Sequence, residues 1–210
     1  MIRILIADDH AIVREGLKQI LSESPDLVVV AEASTGQEVL EKIAKNDLDL
    51  VVLDIAMPGR GGLDILKEIK SQRPRLSVLM LSMYPEEQYA VRVLKSGASG
   101  YLTKESAPAE LVKAIRQISQ GKKYISPSLA EKLAIDLEIS PDRPPHETLS
   151  DREYQVMCMI ASGKTLREIA DGLSLSIKTI STYRSRILEK MNMKTNAELT
   201  HYAIKNSLVD

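Results

Sequence analysis

Leu48-Asp49-Leu50-Val51-Val52-Leu53-Asp54-Ile55-Ala56-Met57-Pro58-Gly59 is the stretch that decides the fold. Residues 48–53 form a short, nearly unbroken apolar run, which predicts a strand covered on both faces. Met57-Pro58-Gly59 is a turn signal, and Asp54 stands between run and turn. An acidic residue at the carboxyl end of a buried strand is where open α/β sheets place their ligand sites.

The same unit recurs on both sides. Apolar runs appear at residues 2–7, 27–31, 76–81 and, more weakly, 100–102. Between them lie Ile12, Leu17, Ile20 and Leu21, then Val39, Leu40 and Ile43, then Leu63, Leu66 and Ile69, all at helical spacing. Strands alternating with amphipathic helices predict an α/β doubly wound, five-stranded parallel sheet. Its strand ends carry Asp8 and Asp9, Asp54, Ser82 and, just past the fifth run, Lys104. No GxGxxG or GxxxxGK[ST] follows any run, which argues against a dinucleotide or P-loop site.

Three carboxylates at neighbouring strand tips repel one another unless a cation sits among them. Asp8, Asp9 and Asp54 therefore suggest a hard divalent ion, Mg²⁺, held by few protein oxygens and working with phosphate. Lys104 is placed to pair with a phosphoryl oxygen and Ser82 to hydrogen-bond another, leaving Asp54 as the acceptor nucleophile. Singly, each residue also reads plainly: Asp8 or Asp9 as a helix cap, Asp54 as a turn residue, Ser82 and Lys104 as solvated groups. Their joint placement at four strand ends favours the site.

Beyond Gly121 the pattern loosens. One amphipathic stretch, 128–137, precedes the connector Ser140-Pro141-Asp142-Arg143-Pro144-Pro145. Helical signals resume at Ser150, which with Glu153 forms a capping box, and Thr195 with Glu198 repeats the device before a last helix, 196–206. Residues 166–173 and 177–191 read as two helices joined by Leu173-Ser174-Leu175-Ser176, a helix-turn-helix. At ~100° per residue the second sorts into an apolar face, Ile177, Ile180, Ile187, Leu188 and Met191, and a polar one, Lys178, Ser181, Thr182, Ser185, Arg186 and Glu189. A small polar and basic face opposite a core stripe suits a major groove. Arg184 falls among the apolar positions, so a pairing with Glu153 or Glu168 is expected, since an unpaired buried charge is costly.

The chain has 210 residues and a net charge of −1. That near-neutrality hides an asymmetry: between 177 and 194, Lys178, Arg184, Arg186, Lys190 and Lys194 face only Glu189, which suits a polyanion. No apolar run approaches the ~20 residues of a membrane span. Residues 1–20 carry charges where a signal peptide is apolar, so a cytoplasmic protein with no membrane partner is expected. Cys158, the single cysteine, lies in an apolar run and reads as core.

Ala7-Asp8-Asp9-His10, residues 53–58, Ser82 and Gly100-Tyr101-Leu102-Thr103-Lys104 resemble the receiver domain of two-component response regulators, over residues 1–120. Residues 165–191, with Ser150-Asp151-Arg152-Glu153, Gly163 and Ser176-Ile177-Lys178-Thr179-Ile180, resemble the LuxR-type helix-turn-helix of the NarL/FixJ regulators, over residues 148–210. Residues 121–147 are then a linker with one helix. The resemblance implies a flavodoxin-like receiver and a small all-α reader. It implies that Asp54 accepts a phosphoryl group from a sensor histidine kinase, with Asp9, Asp54 and the Ala56 carbonyl on Mg²⁺ and Asp8 acting through water. Ser82 and Tyr101 match a switch pair. Lys178, Ser181, Thr182 and Ser185 would meet base edges or nearby phosphates of double-stranded DNA, with Thr179, Arg186 and Lys194 on the backbone. The resemblance further implies a homodimer on phosphorylation, a dimer face on the last helix, and no enzymatic activity beyond autodephosphorylation. Two positions depart from the pattern: Glu105, where many receivers carry proline, and Tyr183, where the reader often has histidine.

Rival classes fit less well. An aspartyl-phosphate phosphohydrolase uses Asp-x-Asp, and this chain has Asp54-Ile55-Ala56. A ligand-sensing regulator needs an aromatic-rich pocket, and this chain has no Trp and no Phe. A receiver working without phosphorylation is disfavoured by the intact acid set.

Overall fold

The computed structural model describes residues 1–57, 60–126, 129–130 and 144–209. The chain divides into two compact units, Met1–Glu131 and Lys132–Asp210.

The first unit alternates β1 (Ile2–Ala7), α1 (Ala11–Ser22), β2 (Leu27–Ala33), α2 (Gly36–Lys45), β3 (Leu50–Asp54), α3 (Gly62–Gln72), β4 (Ser77–Ser82), α4 (Glu86–Lys95), β5 (Gly100–Thr103) and α5 (Ala107–Ser119). All strands pair in parallel, in the order β2-β1-β3-β4-β5. The order reverses between β1 and β3, so a crevice opens outside their carboxyl ends. Asp8 follows β1 and Asp54 closes β3.

Alternation along each strand feeds two layers. Ile4, Ile6, Leu50, Val52, Leu79, Leu81 and Leu102 pack with Leu17 and Leu21 of α1 and Leu111, Ala114, Ile115 and Ile118 of α5. Leu5, Val51, Leu53, Val78, Met80 and Tyr101, equally buried, alternate with them. Each such side chain contributes about 1.5–3 kcal/mol relative to exposure.

Two expectations shift. The third strand starts at Leu50 because Asp49 is taken into the turn, where its carboxylate accepts the Arg3 amide at 2.7 Å. Ile12 is 82% exposed. At ~100° per residue it points away from Leu21, and Val13 packs on the core in its place.

The second unit has a short 3₁₀ turn, Pro145–Thr148, then α6 (Asp151–Ala161), α7 (Leu166–Gly172), α8 (Ile177–Lys190) and α9 (Asn196–Lys205) among the described residues. The Ser150–Glu153 box is formed in both directions. Thr195 caps the Glu198 amide, while the Glu198 carboxylate returns to the Lys194 amide, one residue earlier than in the standard box. A box of the same spacing, Thr165 with Glu168, opens α7. Each of these helices ends on a left-handed residue, Gly163, Ser174, Asn192 or Ser207. The following amide then reaches back five residues to the Met159, Ala170, Leu188 or Ala203 carbonyl, a Schellman closure.

The stretch 128–137, apart from Leu129 and Ala130, and Ser140, Pro141, Asp142 and Arg143 of the connector lie outside the described residues, as do Pro58 and Gly59 of the turn after Asp54. No described helix is long and apolar enough to cross a membrane. Cys158 is buried.

Candidate functional site

The parallel register brings the strand-end residues together. Lys104 reaches back so that its ammonium lies 2.7 Å from Asp8 Oδ2 and 3.0 Å from Asp54 Oδ2. Asp8 and Asp54 are fully buried and the lysine side chain nearly so. Backbone amides hold the carboxylates in place: His10 N–H donates to Asp8 Oδ1 at 2.8 Å, and Ala56 N–H to Asp54 Oδ1 at 3.2 Å. Asp9 is exposed at the rim.

The electrostatics are those of two acids sharing one cation. Burial holds the Asp54 carboxyl above the usual carboxylate range; Asp8 pushes the same way, and Lys104 opposes both without cancelling them. Burial alone would lower Lys104, but Asp54 and Asp8 together raise it above the ordinary lysine value. The lysine is therefore a fixed positive charge, and the pocket holds more acid than that charge satisfies.

Two observations test whether the pocket suits a divalent cation. One ligand atom from each of Asp8, Asp9, His10 and Asp54 can be chosen so that all lie within 4.8 Å of one another. Asp8 Oδ2, buried, is paired with the Lys104 ammonium at 2.7 Å, and Asp54 Oδ2 shares that ammonium at 3.0 Å, so two carboxylates face one cation. The residues fit. Ala56 is half-buried beside Asp54.

Ser82 and Tyr101 are tied through one residue. The Tyr84 amide donates to Ser82 Oγ at 3.0 Å, and the buried Tyr101 hydroxyl donates to the Tyr84 carbonyl at 2.7 Å. The loop after β4 thus answers to both side chains. The Lys104 amide donates to the Ser82 carbonyl at 2.7 Å, continuing the β4–β5 ladder to the lysine. The Lys104–Glu105 bond, at the departure from the receiver pattern, is trans.

Three contributors were not read from the sequence. Gly62 opens α3 against the back of Asp54: a Cβ there would lie 2.2 Å from the Asp54 carbonyl oxygen. The Gly61-Gly62 pair was a usable signal for so close an approach. Arg14, on α1, donates to the Asp8 carbonyl at 2.7 Å and pairs with Glu32 at 3.2 Å. His10 sets its Nδ1 2.8 Å from Asp9 Oδ1. For Arg14 no local pattern exists, because the contact depends on how α1 leaves β1.

In the second unit, Ile180, Ile187, Leu188 and Met191 are buried as the wheel predicts, but Ile177 is 51% exposed, since the first turn of α8 projects past the core. Lys178, Ser181, Thr182, Ser185, Arg186 and Lys194 are exposed and Thr179 half-buried. The hydroxyls fold onto their own helix: Thr182 bonds the Lys178 carbonyl and Ser185 the Ser181 carbonyl. Thr179 meets the Ser176 cap.

Arg184 pairs with neither Glu153 nor Glu168. Its Nε donates to Asn196 Oδ1 at 2.7 Å, at the start of α9. Glu153 takes Lys190 instead, at 2.6 Å, and Glu168 is spent on its own cap. Arg184 sits half-buried and needs a dipole there, which an amide oxygen supplies. Two of the five cations between 177 and 194 are thus used inside the unit, and Lys178, Arg186 and Lys194 remain on the exposed surface.

Residues 4–116 match the model of the response regulator receiver domain, and residues 147–203 that of the bacterial regulatory proteins of the luxR family. The chain is 39% identical over 210 residues to the response regulator UvrY of Escherichia coli K12, covering 99% of this chain and 96% of that protein. It is 36% identical to the response regulator GacA of Pseudomonas aeruginosa, covering 100% and 99%. Among solved structures it resembles RcsB of Salmonella enterica serovar Typhimurium, bound to promoter rprA with the phosphomimetic BeF3⁻, at 29% identity and a TM-score of 0.65 over 96% of this chain and 98% of that one.

Proposed function

The chain belongs to the NarL/FixJ-type response regulators, DNA-binding proteins that join a receiver to a LuxR-type reader, and we propose that phosphorylation of Asp54 by a sensor histidine kinase switches it. The observation that carries this reading is the meeting of Asp54, Asp8 and Lys104 within 3.0 Å at the crevice between β1 and β3.

In this reading the receiver is 1–120, a linker with one helix is 121–147, and the reader is 148–210, in the cytoplasm. The Asp54 carboxylate forms the new bond to phosphorus as the bond to the donor's imidazole nitrogen breaks. Lys104, held positive by its two acid neighbours, pairs with a phosphoryl oxygen. Asp9, Asp54 and the Ala56 carbonyl, with Asp8 behind them, would hold Mg²⁺, which supplies positive charge opposite the developing oxyanion. Ser82, turned to another phosphoryl oxygen, gives up the Tyr84 amide. That frees the loop whose carbonyl anchors Tyr101, so both switch residues respond to one event. Turnover is limited to autodephosphorylation.

The reader uses α8. Lys178, Ser181, Thr182 and Ser185 lie on one face toward the helix N-terminus, the end that meets base edges in helix-turn-helix proteins. Thr179, Arg186 and Lys194 serve the phosphate backbone of double-stranded DNA. A phosphorylated homodimer sets two such helices about one helical turn apart, with α9 as the dimer face.

Incubation with acetyl phosphate and Mg²⁺, followed by intact-mass measurement, tests the switch. A gain of one phosphoryl group that disappears in Asp54→Asn is expected. An unmodified wild type, or an equal gain in the variant, overturns the reading.

A further inference from the structure

The first turn of α8 breaks two rules that a free-standing helix obeys. Acidic side chains suit the positive end of the helix dipole, yet the first turn of α8 holds none and Lys178 places a cation there. The apolar residues of an amphipathic helix turn to the core, yet Ile177 is 51% exposed while Ile180, Ile187 and Leu188 of the same helix are buried. Departures of this kind gather at functional positions.

Ile177 stands one turn before Ser181, so the two share a line along the helix and Ile177 borders the exposed polar face. Hydroxyl donors on that face are engaged within the helix. The Ser176 and Thr179 hydroxyls bond each other at 2.8 Å, Thr182 donates to the Lys178 carbonyl at 3.0 Å, and Ser185 donates to the Ser181 carbonyl at 3.2 Å. Contacts from cationic side chains to phosphate position a reader but carry no sequence information. A side chain that reads a base without a donor is an apolar one, and the apolar mark of the major groove is the thymine C5-methyl group. The residues that reach base edges in a helix-turn-helix are those at the N-terminal end of the second helix, where Ile177 is the first residue.

We propose that Ile177 packs on a thymine methyl group in the major groove and is a specificity-determining residue of the reader. The inference rests on the reading of α8 as the helix that enters the groove. Its consequence is a preference for thymine over cytosine at one position of each half-site, because cytosine offers no methyl group there. The contact involves no charge, so it adds nothing to the salt dependence of binding.

Selection of duplexes from a random library by the full chain, with and without acetyl phosphate and Mg²⁺, supplies the probe. The enriched duplex is then remade with uracil in place of each thymine in turn, which removes the methyl group and keeps the O4 acceptor. At one position per half-site, uracil should weaken wild-type binding by about three- to fourfold, the effect of exposing one buried methyl group. Ile177→Ser should bind the thymine duplex weaker by at least about that factor, bind the thymine and uracil duplexes equally, and keep the wild-type salt slope. Ile177→Val, which retains an apolar branch, should keep the thymine preference. Thr182→Ser, which removes a methyl group from the same face, should keep it too. An enriched duplex with no uracil-sensitive position, or a thymine preference undiminished in Ile177→Ser, overturns the proposal, as does a preference lost in Thr182→Ser and kept in Ile177→Ser. Enrichment of no duplex under either condition overturns the reading of α8 itself, and the proposal with it.

Discussion

Removing the Lys104 ammonium tests the receiver pocket most severely. In Lys104→Met the chain keeps its length and apolar stem but loses a charge 2.7 Å from Asp8 and 3.0 Å from Asp54. At an effective dielectric of about 20, those separations correspond to attractions of roughly 6 and 5.5 kcal/mol. Against this stands the desolvation of the ammonium, several kcal/mol, which the variant no longer bears. Removing one partner of a buried ion cluster costs about 3–5 kcal/mol in practice, and for a unit of this size each kcal/mol lowers Tm by roughly 3–5 °C. The receiver transition should therefore fall by about 10–20 °C in a melt followed by circular dichroism.

The pH response supplies the sign. Asp54 is held above its unfolded range by burial, so the folded state binds more protons than the unfolded one between the two pKa values. Stability then falls as pH rises through that window. Without Lys104, which opposes this shift, the window moves up, and acidification from neutral pH should return part of the lost Tm in the variant and less in wild type. Mg²⁺ at ten times its Kd should also return about 1.4 kcal/mol. A variant melting within 2 °C of wild type (roughly half a kcal/mol), or one that loses stability relative to wild type on mild acidification, would refute the shared-cation account.

Gly62→Ala should cost at least about 2–3 kcal/mol, because the new methyl meets the Asp54 backbone and not a yielding side chain; a urea midpoint equal to wild type would contradict the close approach. Burial alone would raise Glu153, but the Lys190 ammonium and the Ser150 amide and hydroxyl outweigh it and hold the carboxyl below its ordinary range. Its contribution is therefore present above the unfolded pKa and lost as pH falls below about 4.5 toward the folded value. Glu153→Ala should destabilise the reader by about 1–2 kcal/mol at pH 7 and by much less at pH 3 in urea titrations of the full chain. Lys178→Ala should weaken DNA binding and reduce the salt slope by about one unit; an unchanged slope in a fluorescence-anisotropy titration would leave Lys178 as plain surface.

Much of this protein was legible because its signals are local. Apolar runs of strand length, helical spacing between them, and acids at the run ends follow from side-chain periodicity alone, and the structure places β1 at the predicted 2–7 and β3 within two residues of the predicted 48–53, at Leu50–Asp54. The Ser150–Glu153 box needed only a three-residue spacing. Ile12 misled because an apolar residue counts toward a helical pattern whether or not its angle meets the core. Arg184 misled because the wheel shows that a charge needs a partner but not which helix end arrives to supply it.

The sequence by itself determined the doubly wound sheet, the helix-turn-helix and the residue types of the pocket, since these depend on neighbours within a few positions. Only the tertiary structure decided that one ammonium would be shared by Asp8 and Asp54, that Gly62 would press on the acceptor's backbone, that Arg14 would hold the Asp8 loop, and that Lys190 and Arg184 would be paired with Glu153 and Asn196. Each is set by the angle at which one element meets another, and packing of the whole core fixes that angle.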